Sequence, residues 1–407
     1  MKKRVNATPR PVKPLLAALL ALSMVIQAGC SQEEITSTAK NMASAVIQGE
    51  SIESVVTRTA VNKAERYIRD PERIKADWQR LKTTMASFRE KLRSVWGKGN
   101  TEEESNPKRY VKYTDHYLSR AEIAFDNGRI RVETLDADKP LERLEGAIVA
   151  TLLTPEDPRQ IDLFSDTPVP IGGTPYLLGQ VVDQKGRDIN NESRARDYAR
   201  HLIKSVLKTR TVTTPKGKKT GHSVEFAMTA RHQDIRAKRF KPLVERYAEK
   251  YGLSRALVYS VIRTESAFNP YAVSHIPAFG LMQIVPKTAG RDTWQYLYGK
   301  KGTPSKDYLF DPERNIEMGT AYMDLLEERY LGKVRDPLAR EYCMIAAYNG
   351  GIGRVLRLFG KGINGAQEQI NTLSASQVHD RLKSRMPKET QHYLIKVLEN
   401  KKRFVAV

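Results

Sequence analysis

The chain has 407 residues, 40% of them hydrophobic and 28% charged, which is too long for one ordinary domain and too apolar for a disordered chain. Lysine and arginine outnumber the acids 68 to 47, a net charge of +21, and a surface this basic suits a polyanion, either nucleic acid or a cell envelope rich in phosphate and carboxylate. Two cysteines, Cys30 and Cys343, cannot build a disulfide framework, so the fold must rest on its core.

The N-terminus reads as an export signal. Lys2, Lys3, Arg4, Arg10 and Lys13 precede an uncharged apolar run from Leu15 to Ile26, too short to span a membrane as a helix. The run ends in "IQAGCSQ", which resembles a bacterial lipobox, with Gln27 where an aliphatic residue is usual. The resemblance implies cleavage after residue 29 and a lipid anchor on Cys30. Ser31, rather than Asp, implies the outer membrane, with the protein facing the periplasm. Without the signal the net charge is about +16, and export disfavours nucleic acid as the partner. Cys343, in the apolar "EYCMIAAYNGG", is expected to be a buried, inert thiol.

From Glu33 to Val95 the sequence is polar with helical patterning. Ala43, Val46 and Ile47 fall at helical spacing, as do Trp78, Leu81, Met85, Phe88, Leu92 and Val95. The pattern predicts a tether carrying weakly packed helices, spanning 30–108 with the linker-like "GKGNTEEESNPK". From Tyr110 the period becomes two. "AEIAFDNGRIRVETL" reads as two strands around Asn127-Gly128, a strong hairpin signal. "EGAIVATLL" is expected to be a helix over the sheet and "TPYLLGQVVD" a strand. "ESRARDYARHLIKSVLK" is expected to be a basic helix, and "PKGKKTG" the loop of a second hairpin. These elements predict a small α+β domain over 109–233 with no catalytic motif of its own.

From residue 234 to 407 the pattern is helical. "AKRFKPLVERYAEKYG" stops at Gly252, and Ser254 is placed to cap "RALVYSVIRTES". Asp311-Pro312 and Asp336-Pro337 each open a helix. "PKETQHYLIKVLENKK" closes the chain. There is no H-E-x-x-H, CxxC or G-x-S-x-G, and "GKKT" and "GGIG" lack the glycines of a nucleotide-binding loop. The seven histidines show no ligand spacing, and His275 and His392 read as structural rather than metal-binding.

Glu265 stands out. Leu257, Val261 and Glu265 are spaced by four, so the carboxylate continues an inward apolar stripe. Burial and the nearby helix C-terminus both disfavour its charged form. A carboxylic acid kept protonated near neutral pH can protonate a glycosidic oxygen. An edge-of-core glutamate reaching water is the ordinary alternative. Ser266 follows directly, and "AFGLMQIVPKTAG" supplies Gly280, Met282 and Gln283. Tyr348 and Asn349 close "AAYNGG", where a core tyrosine and an asparagine C-cap are the commoner uses.

Taken in order, "ES" at 265–266, "GLMQ" at 280–283, "AYN" at 347–349 and Tyr393 in "ETQHYLIKV" resemble the soluble-lytic-transglycosylase family, whose catalytic domain has a goose-lysozyme-like fold. "YVKYTDHY", "FDNG", "YLLGQVVD" and "TESAFNPYAVS" are similar to membrane-bound murein transglycosylases of that family. The fold implied is an α+β N-terminal domain followed by an all-α lysozyme-like catalytic domain. The activity implied is cleavage of the β-1,4 bond between N-acetylmuramic acid and N-acetylglucosamine in peptidoglycan glycan strands, closing a 1,6-anhydro ring. Glu265 would act as acid and then base. Ser266, Gln283, Tyr348, Asn349 and Tyr393 would position the acetamido group and Glu265, and Met282 would line the floor. No metal or cofactor is required by this chemistry. The rivals are a muramidase hydrolysing the same bond, which needs a second carboxylate such as Asp292, Asp307 or Asp311, and a catalytically silent wall-binding lipoprotein.

Overall fold

The tether does not end as a loose helix. The computed structural model describes residues 71–98, 105–274 and 278–405, so Cys30, the signal, the first part of the tether and His275 lie outside the described residues. Helix α1 (Pro71–Trp96) carries Phe88, Leu92 and Trp96 into a core with Val111, Tyr113, Leu135 and Val212. Leu92 and Trp96 have no exposed surface, and the Trp96 indole donates to the Tyr117 carbonyl at 2.7 Å. The expectation of weak packing therefore fails over these last turns. A four-residue spacing puts the three side chains on one stripe, and burying each contributes about 1.5–3 kcal/mol.

Five antiparallel strands follow: β1 (Arg109–Thr114), β2 (Ser119–Ala124), β3 (Arg129–Thr134), β4 (Lys208–Thr214) and β5 (Gly217–Ala227), in the order β1-β2-β3-β5-β4. The hairpin at Asn127-Gly128 forms as expected, with Gly128 at φ +73°. The second turn is shorter than expected. Only Pro215 and Lys216 lie outside strand, because Gly217–Thr220 already pair with β4. Tyr110, Ile123, Ile130, Val132 and Val224 share one face. Helices α2 (Pro140–Leu152) and α3 (Glu192–Val206) pack on the sheet, and Tyr198 meets Phe226 edge-on at 5.9 Å. On the other face the fully buried Glu133 pairs with Arg120 (2.9 Å), Arg131 (3.2 Å) and Arg210 (2.6 Å). "TPYLLGQVVD" is not a strand. It is a run of turns, with Leu178 N donating to Pro175 O and Val181 N to Leu177 O. A short apolar run reports burial, not the backbone that achieves it.

The rest is helical: α4 (His232–Arg239), α5 (Lys241–Lys250), α6 (Arg255–Ser266), α7 (Arg291–Tyr298), α8 (Lys306–Phe310), α9 (Pro312–Leu325), α10 (Pro337–Gly350), α11 (Ile352–Phe359), α12 (Gly362–Asn371), α13 (Ala375–Arg385) and α14 (Lys388–Arg403). A break at Phe240 splits what reads in sequence as one helix, just before Pro242. Asp311 accepts from Arg314 N, and Asp336 from Leu338 N and Ala339 N, as expected of caps. Ser254 occupies the cap position of α6 without a side-chain bond. Helices α6 and α14 run antiparallel. Tyr259 stacks on Phe404 at 5.1 Å, and Asn400 Nδ2 donates to Thr264 Oγ1 at 2.9 Å. Cys343 is free and buried, its thiol pushed up to about 12 by burial.

Candidate active site

Helix α6 ends at Ser266, and the chain then takes two consecutive left-handed residues, Ala267 (φ 51°) and Phe268 (φ 62°). Neither is glycine, so each conformation costs on the order of 1–3 kcal/mol and needs outside support. That support comes from α4, from the segment before β1 and from the α+β domain. Arg236 Nε donates to Ala267 O at 3.1 Å, and the Tyr176 hydroxyl donates to Phe268 O. Asn269 Nδ2 donates to Pro107 O at 3.0 Å, and the Tyr271 hydroxyl to Pro155 O. Arg236 is fully buried without a carboxylate. It also donates to Gln180 Oε1 (2.8 Å) and Phe125 O, and stands 2.9 Å from His232 Nδ1. Helix α4, the segment before β1 and the α+β domain together brace the segment that follows Glu265.

The second wall is the Gly280–Gln283 loop. Gly280 has φ +73°, and a Cβ there would fall 2.4 Å from Asn315 Nδ2 and 2.5 Å from Leu309 O, so no other residue fits. Asn315, fully buried on α9, clamps the loop. Its Nδ2 donates to Phe279 O and Leu309 O, each at 2.8 Å, and its Oδ1 accepts from Met282 N at 2.8 Å. The loop is tied to α6 by Ser266 Oγ donating to Leu281 O (2.8 Å), and to α10 by Tyr348 Oη donating to Met282 O (2.8 Å).

Glu265 is half-buried at the end of α6. Burial pushes its carboxyl up to about 7, and the charge of Glu389 adds to this. The Tyr393 hydroxyl and the Lys108 ammonium oppose it. Tyr393 is 7% exposed and lies against the carboxyl, close enough to bias its ionisation. Its hydroxyl nevertheless makes no hydrogen bond of ordinary distance and angle. Tyr348 is also close enough for the Glu265 charge to raise its own pKa further.

The predicted residues come together, but not all with the same access. Ser266 and Met282 have no exposed surface. The Ser266 hydroxyl is committed to Leu281 O and Ile262 O. The Met282 side chain lies against α9, where a Cβ on Gly319 would sit 2.3 Å from its sulfur. Gln283 takes φ +49°. Its Nε2 donates to Gly280 O (2.9 Å) and Ala272 O (3.2 Å), while its buried Oε1 has no protein partner. Asn349 Oδ1 accepts from Thr390 Oγ1 at 2.9 Å. Of the acids named as second carboxylates, Asp311 caps α9 and pairs with Arg159 (2.9 Å), and Asp292 pairs with Arg291 (3.2 Å). The carboxylate whose charge reaches Glu265 is instead Glu389, exposed at the start of α14.

Sequence reasoning missed Lys108, Arg236, Asn315 and Glu389. Asn315 had a legible signal, since it stands in register with the apolar Met318 and Tyr322 of α9, much as Glu265 does on α6. Lys108 sat in an apparent linker, and Arg236 in a helix so basic that one buried arginine could not be singled out.

A helical domain that sets a half-buried carboxyl of raised pKa among tyrosines, beside a Gly-anchored loop, fits a lysozyme-like catalytic domain. Residues 242–371 match the family model described as transglycosylase SLT domain. Residues 74–239 match the N-terminal domain of membrane-bound lytic murein transglycosylase C. A membrane-bound lytic murein transglycosylase C of Serratia proteamaculans is 42% identical over 328 residues, covering 80% of this chain and 90% of that one. One from Cronobacter sakazakii is 44% identical over 315 residues, covering 77% and 86%. The 70 kDa soluble lytic transglycosylase of Escherichia coli aligns at 27% identity with TM-score 0.31, covering 40% of this chain and 23% of that one. The chain belongs to the membrane-bound lytic murein transglycosylase C family. Among the described residues no helix is long and apolar enough to cross a membrane.

Proposed function

We propose that this protein is a peptidoglycan lytic transglycosylase that cleaves the β-1,4 bond between N-acetylmuramic acid and N-acetylglucosamine without water and leaves 1,6-anhydromuramoyl ends. Glu265, protonated near neutral pH, gives its proton to the leaving O4 of N-acetylglucosamine as the C1–O4 bond breaks. The muramyl acetamido oxygen stabilises the cationic C1. The Glu265 carboxylate then takes the proton of the muramyl C6 hydroxyl, and O6 bonds to C1. The carboxyl ends protonated and no water is consumed, so one group serves as acid and base. The observation that carries this reading is a single half-buried carboxyl raised to about 7 beneath Tyr393.

Tyr348, Asn349 and Gln283 are assigned to the substrate, with the unpartnered Gln283 Oε1 as an acceptor for a sugar N–H or O–H. Tyr393 orients the Glu265 carboxyl. Ser266 and Met282 act from behind, by holding the 280–283 loop rather than by touching sugar. Domain limits of 1–29, 30–108, 109–233 and 234–407 are proposed for the signal, tether, α+β and catalytic regions, with the last turns of α1 shared by the α+β core. Cys30 is proposed as the lipidated residue that anchors the enzyme to the outer membrane facing the periplasm. The lipobox-like sequence and the membrane-bound relatives support this.

The test is digestion of purified sacculi. The wild type is expected to release anhydro ends that borohydride does not reduce. Glu265→Gln is expected to fold and to lose at least ~10²-fold in rate. Reducible muramic ends from the wild type would establish hydrolysis instead.

A further inference from the structure

Asparagine is a poor helix former, yet Asn349 stands inside α10, which runs on to Gly350. Its side chain is not the cap of that helix. The cap position belongs to Gly351, whose N–H donates to Ala347 O. The Asn349 side chain crosses instead to α14, where Thr390 Oγ1 donates to Asn349 Oδ1 at 2.9 Å. Thr390 is 2% exposed and Asn349 half-buried. Both helices are shaped for this contact. A Cβ on Gly350 would fall 2.8 Å from Thr390 Oγ1 and 3.0 Å from its Cγ2, so glycine beside Asn349 leaves the room in which Thr390 sits.

The Thr390 hydroxyl is free of its own helix. A threonine inside a helix can donate to the carbonyl four residues back, as Thr151, Thr264 and Thr320 do toward Ala147, Ser260 and Ile316. Thr390 stands in the first turn of α14, so the residue four back is the extended Met386, outside the helix. The Met386 carbonyl accepts from Gln391 Nε2 at 2.6 Å. Among the described residues the Thr390 hydroxyl bonds to Asn349 alone. With the amide reversed, Asn349 Nδ2 would donate to that oxygen, and the buried hydroxyl proton would be left without an acceptor. Such a loss disfavours the reversed amide by about tenfold or more. Oδ1 is therefore held, and Nδ2, on the other limb of the planar amide, is left for a ligand. Gln283 is set in the opposite sense. Its Nε2 is spent on Gly280 O and Ala272 O, and its Oε1 is left over. One amide offers a donor and the other an acceptor, and only their protein partners decide which.

We propose that Thr390 is a positioning residue that fixes the Asn349 amide, so that Nδ2 donates a hydrogen bond to an oxygen of the sugar bound beside Glu265. That a sugar lies there rests on the transglycosylase reading. Thr390 itself does not touch the sugar and acts through Asn349. It lies one turn before Tyr393, which lies against the Glu265 carboxyl, so the first two turns of α14 serve both the proton donor and the substrate amide.

The test is a double-substitution cycle on the full chain, read as kcat/KM for bond cleavage in a defined murein oligomer. Thr390→Val keeps the shape of the side chain and removes the hydroxyl. Its kcat/KM is expected to fall ~10-fold, the scale of one hydrogen bond. Thr390→Ser restores the hydroxyl and is expected to recover most of that loss. In an Asn349→Ala background Thr390→Val is expected to cost less than about twofold, because no amide remains to be turned. A merely structural role of Thr390 would cost the same in both backgrounds. Thr390→Ala removes the same hydroxyl and carries the test if thermal unfolding shows that Thr390→Val misfolds. An undiminished kcat/KM without the hydroxyl, a ~10-fold loss that persists beside Asn349→Ala, or no recovery by Thr390→Ser overturns the assignment. Borohydride treatment of wild-type products judges the transglycosylase reading separately, because the cycle counts cleaved bonds whether they end in anhydro or reducible sugar.

Discussion

Replacing Glu265 by glutamine is expected to stabilise the protein while disabling it, and the size of the gain depends on pH. The carboxyl is raised from 4.5 to about 7 in the folded state, first by burial. In an unfolded chain it ionises near its ordinary value. Between these two values the folded protein holds a proton that the unfolded chain has released, so stability falls as pH rises. The penalty is absent below about 4.5 and complete above about 7. At about 1.4 kcal/mol per tenfold change in proton affinity it amounts to about 3 kcal/mol. Glutamine has nearly the same shape and no charge to desolvate. Urea unfolding of the two proteins is expected to give matching midpoints near pH 4 and a glutamine variant more stable by about 3 kcal/mol near pH 8. The same titration sets the alkaline limb of activity, since the first step needs the protonated acid. A stability difference that does not change between pH 4 and pH 8 would refute the reasoning, because it would mean that the carboxyl ionises in the folded protein as readily as in water.

Three further outcomes follow from the same contacts. Asn315→Ala leaves Met282 N and Leu309 O unpaired in the interior and takes one of two bonds from Phe279 O, which keeps that of Ile284 N. Thermal unfolding should register a loss of about 3 kcal/mol or more, with activity on sacculi falling at least tenfold as the 280–283 loop shifts. Glu389→Gln removes the charge that adds to the raised pKa of Glu265. Its alkaline limb should move to lower pH with turnover retained, whereas a ~10²-fold loss of rate would make Glu389 the second carboxylate of a hydrolase. Leu92→Ala, in a segment that reads as a tether, should cost about 2–5 kcal/mol in urea unfolding because the side chain is fully buried in the α+β core. A change below about 0.5 kcal/mol would return that helix to the role of spacer.

Much of the fold was legible because its signals are local. The strand alternation around Asn127-Gly128, the Asp311-Pro312 and Asp336-Pro337 helix starts, and the four-residue spacing that turns Glu265 inward all arise from short-range backbone geometry. The order of the ES, GLMQ, AYN and late tyrosine elements was likewise readable, and with it the family. The misreadings occur where an apolar pattern shows that a residue is buried without showing against what. "TPYLLGQVVD" forms turns rather than a strand, and α1 ends in a core rather than along a tether.

What the sequence by itself determined was which residues face inward and which segment carries the proton donor. Only the tertiary structure decided how that donor is held and tuned. Ser266 and Met282 are fully buried, and Asn315 ties the 279–282 backbone to Leu309 of α8. Arg236 and Tyr176 hold the left-handed residues after Glu265, and Lys108 arrives from a segment about 150 residues earlier. Electrostatic potential and hydrogen-bond satisfaction depend on distance in space, and one chain's spacing along the sequence carries no record of which distant segment will supply the opposing charge or donor.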